Sequence, residues 1–280
     1  MTPEQRQDRD STDASTDETT RQTDATADEA GPPRLDVSLD AAALSTALDG
    51  AMAVASECRM TFEDGLAFRA RDPADVAMAE LRLDSGAFDA YTANGETFGV
   101  ALDRLGDAVS MADGDAIRLA LGDGGRFDVT AGAVEYTFAP IAADAVRQVE
   151  WVDAGSVESS AVLGSDDLRR AVRAADLVAD HAEFAVDPAE RLLTVTASGD
   201  TDDVRLEFDE ADLDSLDPGA VASLYSVDYL RDIVGAVPSD VPVTVEFVGG
   251  GEGGCPLSLE HPIADGGGTG RWLLAPRIRR

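Results

Sequence analysis

Nucleophilic or metal-assisted chemistry needs cysteine, histidine, serine or carboxylates at set spacings, and this chain offers few candidates. It has two histidines, His181 and His261, and two cysteines, Cys58 and Cys255. None belongs to an HxH, HExxH, GxSxG or CxxC arrangement, so neither a zinc site nor an activated nucleophile is indicated. Two isolated cysteines make no disulfide framework, and each is expected to pack as a small hydrophobe. Carboxylate pairs such as Asp166–Asp167 and Asp202–Asp203 follow from the abundance of acids. The glycine-rich loops Gly249–Gly254 and Gly266–Gly270 are not phosphate loops, because no GKS or GKT follows. The expectation is a protein without catalytic activity, metal or cofactor.

The basic residues say more. A helix is predicted over Ser165–Asp180, with Ser165 or Asp166 as its N-cap. At about 100° per residue Leu168, Val172, Ala175 and Ala179 form an apolar stripe, and Arg169, Arg170 and Arg173 fall on roughly the opposite face. Three arginines with no acid between them stand out in a chain with 55 acidic and 22 basic residues. For a helix taken alone they read as a solvated polar face. Helices predicted at 101–112 and 226–237 add Arg104 and Arg231, whereas the helix at 39–56 carries no basic residue.

The formal charge is −33, and every basic residue is arginine. Residues 1–33 hold nine acids and three arginines, so most of the charge lies in the body. Such a lysine-free, acidic surface suits a cytoplasm at multimolar salt, where the Debye length falls to about 3 Å and self-repulsion is screened. That points to an extreme halophile, archaeal in type. Residues 1–33 have almost no large apolar side chain and are expected to be a disordered acidic tail. There is no apolar signal segment at the N-terminus and no apolar run of roughly 18 residues, so a cytoplasmic location is expected.

From residue 34 onward the chain reads as one design used twice. Leu44, Ala47, Leu48, Ala51, Val54 and Ala55 keep helical spacing. A shift of 124 carries them onto Leu168, Ala171, Val172, Ala175, Val178 and Ala179, and carries Met60 and Phe62 onto Phe184 and Val186. LDRLGDAV (102–109) and VDYLRDIV (227–234) match at a shift of 125. Around them lie short alternating runs bounded by turn residues: 80–83, 116–121, 126–130, 134–138, 193–197, 204–208, 243–247 and 271–275. These predict antiparallel hairpins. The fold class is α+β, with two similar domains at 34–147 and 159–280, each two helices packed on antiparallel sheets. Val146–Ser160 fits neither period and joins them, with the connecting loop at 148–158.

Two stretches carry a family resemblance: LAFRARDPADVAMAELRLDSGAFDAY (Leu66–Tyr91) and LAPRI (Leu274–Ile278). In this order, with the repeat between them, they resemble the front and back of a sliding-clamp subunit of the proliferating cell nuclear antigen (PCNA) type. The resemblance covers about Arg34 to Ile278. It implies two clamp domains per subunit and a homotrimeric ring, helices inside and sheets outside, encircling duplex DNA without reading its sequence. Arg104, Arg169, Arg170, Arg173 and Arg231 would then face phosphates. It also implies a pocket for short partner peptides, formed by Asp75, Val76, Met78, Val152, Pro256, Leu274, Ala275 and Pro276. The implied partners are a DNA polymerase, the replication factor C clamp loader, and nucleases and ligases bearing PCNA-interacting peptide motifs. Edge strands near 126–130 and 203–208 would join neighbouring subunits. Arg126 and Arg205 could meet acids across that joint, or be ordinary solvated charges. Clamps of this type carry a richer basic lining and no such tail. The alternative is therefore a diverged paralogue that keeps the peptide pocket and acts as a protein–protein scaffold without encircling DNA.

Overall fold

A computed structural model describes residues 34–112, 116–122, 124–152, 154–250 and 253–278. The acidic segment 1–33 lies outside them, and so does its expected disorder. The first half runs β1 (Leu35–Asp40), α1 (Ala41–Met52), β2 (Glu57–Phe62), β3 (Gly65–Arg71), β4 (Ala77–Asp84), β5 (Phe88–Ala93), β6 (Thr97–Ala101), α2 (Leu102–Ser110), β7 (Ala116–Leu121), β8 (Phe127–Ala131) and β9 (Val134–Phe138). The second runs β10 (Val157–Gly164), α3 (Ser165–Asp176), β11 (His181–Asp187), β12 (Leu192–Ser198), β13 (Asp203–Phe208), β14 (Ser215–Asp217), β15 (Val221–Ser226), α4 (Val227–Ala236), β16 (Pro242–Val248), β17 (Leu257–Ile263) and β18 (Gly268–Leu274). Strand and helix follow one another in the same order in both. The duplicated spacing in the sequence is thus a duplicated architecture.

All strand pairings are antiparallel. The first half has the strand orders β5-β1-β7-β8-β9 and β4-β3-β2-β6. The second repeats them as β14-β10-β16-β17-β18 and β13-β12-β11-β15. One further pairing, β18 with β4, fuses two of these sheets into a nine-stranded sheet across the halves. The helix stripes follow the expected spacing: Leu44, Ala47, Leu48 and Ala51 are buried in α1, and Leu168, Ala171, Val172 and Ala175 in α3. Every second residue of the long strands meets them, Met60, Phe62, Phe68 and Phe184 among others.

The junction is made by close approach. Gly268 and Gly270 lie opposite Leu83 and Leu81. A Cβ on Gly268 would stand 2.4 Å from the Arg82 carbonyl, and one on Gly270 would stand 2.7 Å from His261 Nε2. Part of the expected loop 266–270 is therefore strand, and its glycines are there for contact rather than flexibility. Trp272 crosses the junction, is fully buried, and donates its indole N–H to the Gly50 carbonyl at 3.0 Å. His261 stacks on Trp272 at 5.3 Å between ring centroids.

Three local expectations are corrected. The helix over Ser165–Asp180 ends at Asp176, because Val178 and Ala179 belong to the turn that leads into β11. The residue in its cap position is Gly164, and the Ser165 hydroxyl instead accepts the Val241 N–H at 3.3 Å. Residues 126–130 are not an edge, since β8 is flanked by β7 and β9; the edge on that side of the sheet is β9, with β5 at the far side. The run 203–208 is an edge as expected.

His261 yields a pH prediction. Burial pushes its pKa below the ordinary 6.5, outweighing its bond to the Pro262 carbonyl, and its Nε2 has no hydrogen-bond partner. The unfolded chain then binds the extra proton between the folded value and 6.5, so stability falls as pH drops through that window. Denaturation midpoints at constant high KCl are expected to decline over this range, and His261→Phe is expected to flatten the decline. Identical pH profiles for both proteins would exclude His261 as the cause.

Candidate nucleic-acid and partner surfaces

The four helices form a continuous row, with α2 beside α1, α1 beside α4 and α4 beside α3. The row spans both halves because the β4–β18 pairing brings them together. Arg104 on α2 and Arg173 on α3 are exposed. Arg170 pairs with Asp167 at 2.7 Å. Arg231 lies among Asp228, Asp176 and Asp232 at 2.9, 3.4 and 3.5 Å. Desolvation pulls the other way, but these three carboxylates hold its guanidinium above its ordinary pKa. Arg169 turns toward the end of α4: it donates to the Val237 backbone carbonyl at 2.6 Å and pairs with Asp166. A cleft of about 780 Å³ runs along this end of the row, lined by Thr46, Asp49, Arg170, Arg173 and Ser239 among others.

The second surface lies where β4 meets β18. Asp72 follows β3, and its carboxylate accepts the N–H groups of Ala74, Val76 and Ala77 at 2.9, 2.6 and 2.6 Å and the Tyr229 hydroxyl at 2.8 Å. Burial opposes ionisation there, yet these four bonds hold its pKa below the usual carboxylate value. This turn fixes the DPADV segment. The Val76 carbonyl then accepts the Ala275 N–H at 2.8 Å, so the two stretches singled out in the sequence touch. Val76, Pro256, Ala275 and Pro276 are half-buried, Met78 is buried and Asp75 is exposed. Asp75 pairs with Arg147 at 2.7 Å and Arg71 at 3.1 Å. The segment after β9 crosses the same outer face of the seam: Arg59 bonds the Val146 carbonyl at 3.0 Å, and Arg271 lies 4.0 Å over the Trp151 ring.

No protein-family model matches the chain. It is 42% identical over 239 residues to the DNA polymerase sliding clamp of Natronomonas pharaonis, covering 84% of this chain and 95% of that one. It is 40% identical to the sliding clamp of Haloarcula marismortui over the same shares. The chain belongs to the DNA polymerase sliding clamp family. Among solved structures it is similar to A. fulgidus PCNA, in its complex with the C-terminal region of FEN-1, with TM-score 0.81, 29% identity, and 88% and 99% of the two chains covered. It is also similar to Thermococcus kodakaraensis PCNA, with TM-score 0.78, 25% identity, and 87% and 100% covered. The PCNA-like fold expected from the two sequence stretches is therefore found, and the relatives are halophilic archaeal, as the composition suggested.

Against this clamp fold, the five arginines separate by environment. Among the described residues Arg104 and Arg173 have no guanidinium partner, Arg170 and Arg231 are paired with carboxylates, and Arg169 is a structural tie. Of the eight pocket residues, Leu274 is fully buried and turns toward the core; its neighbour Leu273, opposite Met78 and half-buried, shares the outer face. Val152 is exposed next to Trp151, on the segment after β9 rather than on β4 or β18. Sequence reasoning missed Leu273, Trp151, Arg147 and Tyr229. Strand alternation carried back from Trp272 would have revealed Leu273; nothing local marks the others, whose partners lie far along the chain. Arg169→Ala is expected to lower stability by about 1.5–3 kcal/mol, the worth of a hydrogen bond to a charged group. Arg173→Ala should shift it by less than about 0.5 kcal/mol. Chemical denaturation of both variants checks the contrast.

Proposed function

We propose that this chain is the repeating subunit of a three-membered sliding clamp that encircles duplex DNA and holds the replicative polymerase on it. Its two clamp domains are read as 34–147 and 159–280, joined by the loop 148–158. The observation that carries the ring is the β4–β18 pairing. Within the duplicated architecture β13 corresponds to β4 and β9 to β18, and both of these strands have a free edge. Pairing β9 of one subunit with β13 of the next repeats the internal seam head to tail, and such contacts close into a ring. The helix row then lines the hole.

Among the described residues Arg104 and Arg173 are the unpaired cations of that lining, supplemented by Arg170 and Arg231 where phosphate displaces an aspartate. So sparse a lining fits high salt, because counterion release gives little affinity there. Topology retains the DNA instead. The groove around Asp75, Val76, Met78, Pro256, Ala275 and Pro276, flanked by Val152, takes short peptides of polymerase, clamp loader, nucleases and ligases; the FEN-1 complex of the similar clamp supports this. The chain works in the cytoplasm as a platform, with no catalysis, cofactor or metal of its own.

The test uses the full chain at multimolar KCl. Light scattering is expected to give three times 29.2 kDa. Rings loaded on closed circular DNA should stay bound and leave after linearisation, and Arg104→Glu with Arg173→Glu should shorten retention while peptide binding persists. Equal escape from circular and linear DNA would overturn encirclement and favour the scaffold reading.

A further inference from the structure

The internal seam can be carried onto the free edges residue by residue. Met60 pairs with Phe68 and Phe68 with Leu81; Phe184 pairs with Val195 and Val195 with Leu206. Since Met60 corresponds to Phe184, Leu206 takes the place of Leu81, Arg205 that of Glu80 and Val204 that of Ala79. Likewise Val37, Leu119, Val129 and Tyr136 are successive partners, as are Ala161, Val245, Leu259 and Trp272. Tyr136 therefore takes the place of Trp272, Glu135 that of Arg271 and Val134 that of Gly270.

In the seam Trp272 lies opposite Ala79, Gly270 opposite Leu81 and Arg271 opposite Glu80. Glu80 is buried and bonded to Arg271 and Arg69. Translated to the edges, Tyr136 meets Val204, Val134 meets Leu206 and Glu135 meets Arg205. The apolar residues are half-buried where their seam counterparts Trp272, Ala79 and Leu81 are fully buried, as expected of a seam lacking its partner. The ion pair recurs with its polarity reversed.

We propose that a second copy of this chain docks in this register, and that the reversed pair Glu135–Arg205 keeps the joint between subunits distinct from the seam within one. This rests on the ring reading and deepens it. A β9 strand laid on β4 would set Glu135 against Glu80, and a β18 strand laid on β13 would set Arg271 against Arg205. Both wrong pairings juxtapose like charges, and both right ones juxtapose opposite charges. Arg205 now pairs with Glu207 on its own strand at 2.6 Å. In the joint it lies between that carboxylate and Glu135, while Glu207 falls past the end of β9.

Charge reversal with rescue tests the register. At the lowest KCl that keeps the chain folded, Glu135→Arg or Arg205→Glu is expected to weaken association about tenfold per joint, and the double exchange to restore it to within about threefold. Both residues are exposed, so circular dichroism should be unchanged. A second readout does not depend on salt. Directly opposed residues sit at about 4.5–5.5 Å between Cα atoms, within disulfide reach. Glu135→Cys with Arg205→Cys should give covalent multimers under mild oxidation. If the parent forms trimers while the single reversals have no effect and the cysteine pair stays monomeric, the register is wrong and the ring stands. A double exchange as weak as the single variants also rejects the pair. A parent that is monomeric at all concentrations overturns the register and the ring together.

Discussion

Strand β18 has to come within hydrogen-bonding distance of β4 if the two halves are to share a sheet, and the chain is shaped around that contact. Gly268 and Gly270 remove the side chains that would hold the strands apart. Trp272 spans the contact and ties into α1 at Gly50. On the opposite face Glu80 sits buried between Arg69 and Arg271, its ionised form favoured by those partners against the cost of burial. A lone buried carboxylate would be costly; two guanidinium groups make it tolerable and fix which strand lies where. Helix row, peptide groove and free edges all take their positions from this seam.

The same duplication explains why the ends of the chain can build one surface. The DPADV turn follows β3 and the LAP segment follows β18, and neither means much alone. Antiparallel pairing sets their ends side by side, and the Ala275 to Val76 bond completes the alignment. The strap after β9 then lies over the outer face, held by Arg59 and by the Trp151–Arg271 contact. A binding groove at the junction of rigid strands needs few residues of its own, because the scaffold has already paid the ordering entropy.

Acidity shapes the surface differently. With a formal charge of −33, most arginines find a nearby carboxylate, even on the helix row. At about 1 M salt the Debye length is near 3 Å, so such contacts matter only at close range. A protein in that medium gains little from a diffuse positive field, and a closed ring does not require one.

What the sequence by itself determined were the α+β class, the repeat, the helix faces and most strands, since these follow from periodicities of 3.6 and 2 that survive in a single chain. It also supplied the clamp likeness, through residues at both ends. It could not tell β8 from β9 as the edge, because both alternate equally well and only pairing decides which has a free side. It could not separate Arg169 from Arg173 either, although both lie on the polar face of α3. Arg169 finds the Val237 carbonyl just past the end of α4, and Arg173 finds no partner among the described residues. Leu273 and Leu274 read alike as leucines, yet the pleat sends one to the groove side and the other into the core. These outcomes depend on partners brought from far along the chain, and only the tertiary structure brings them.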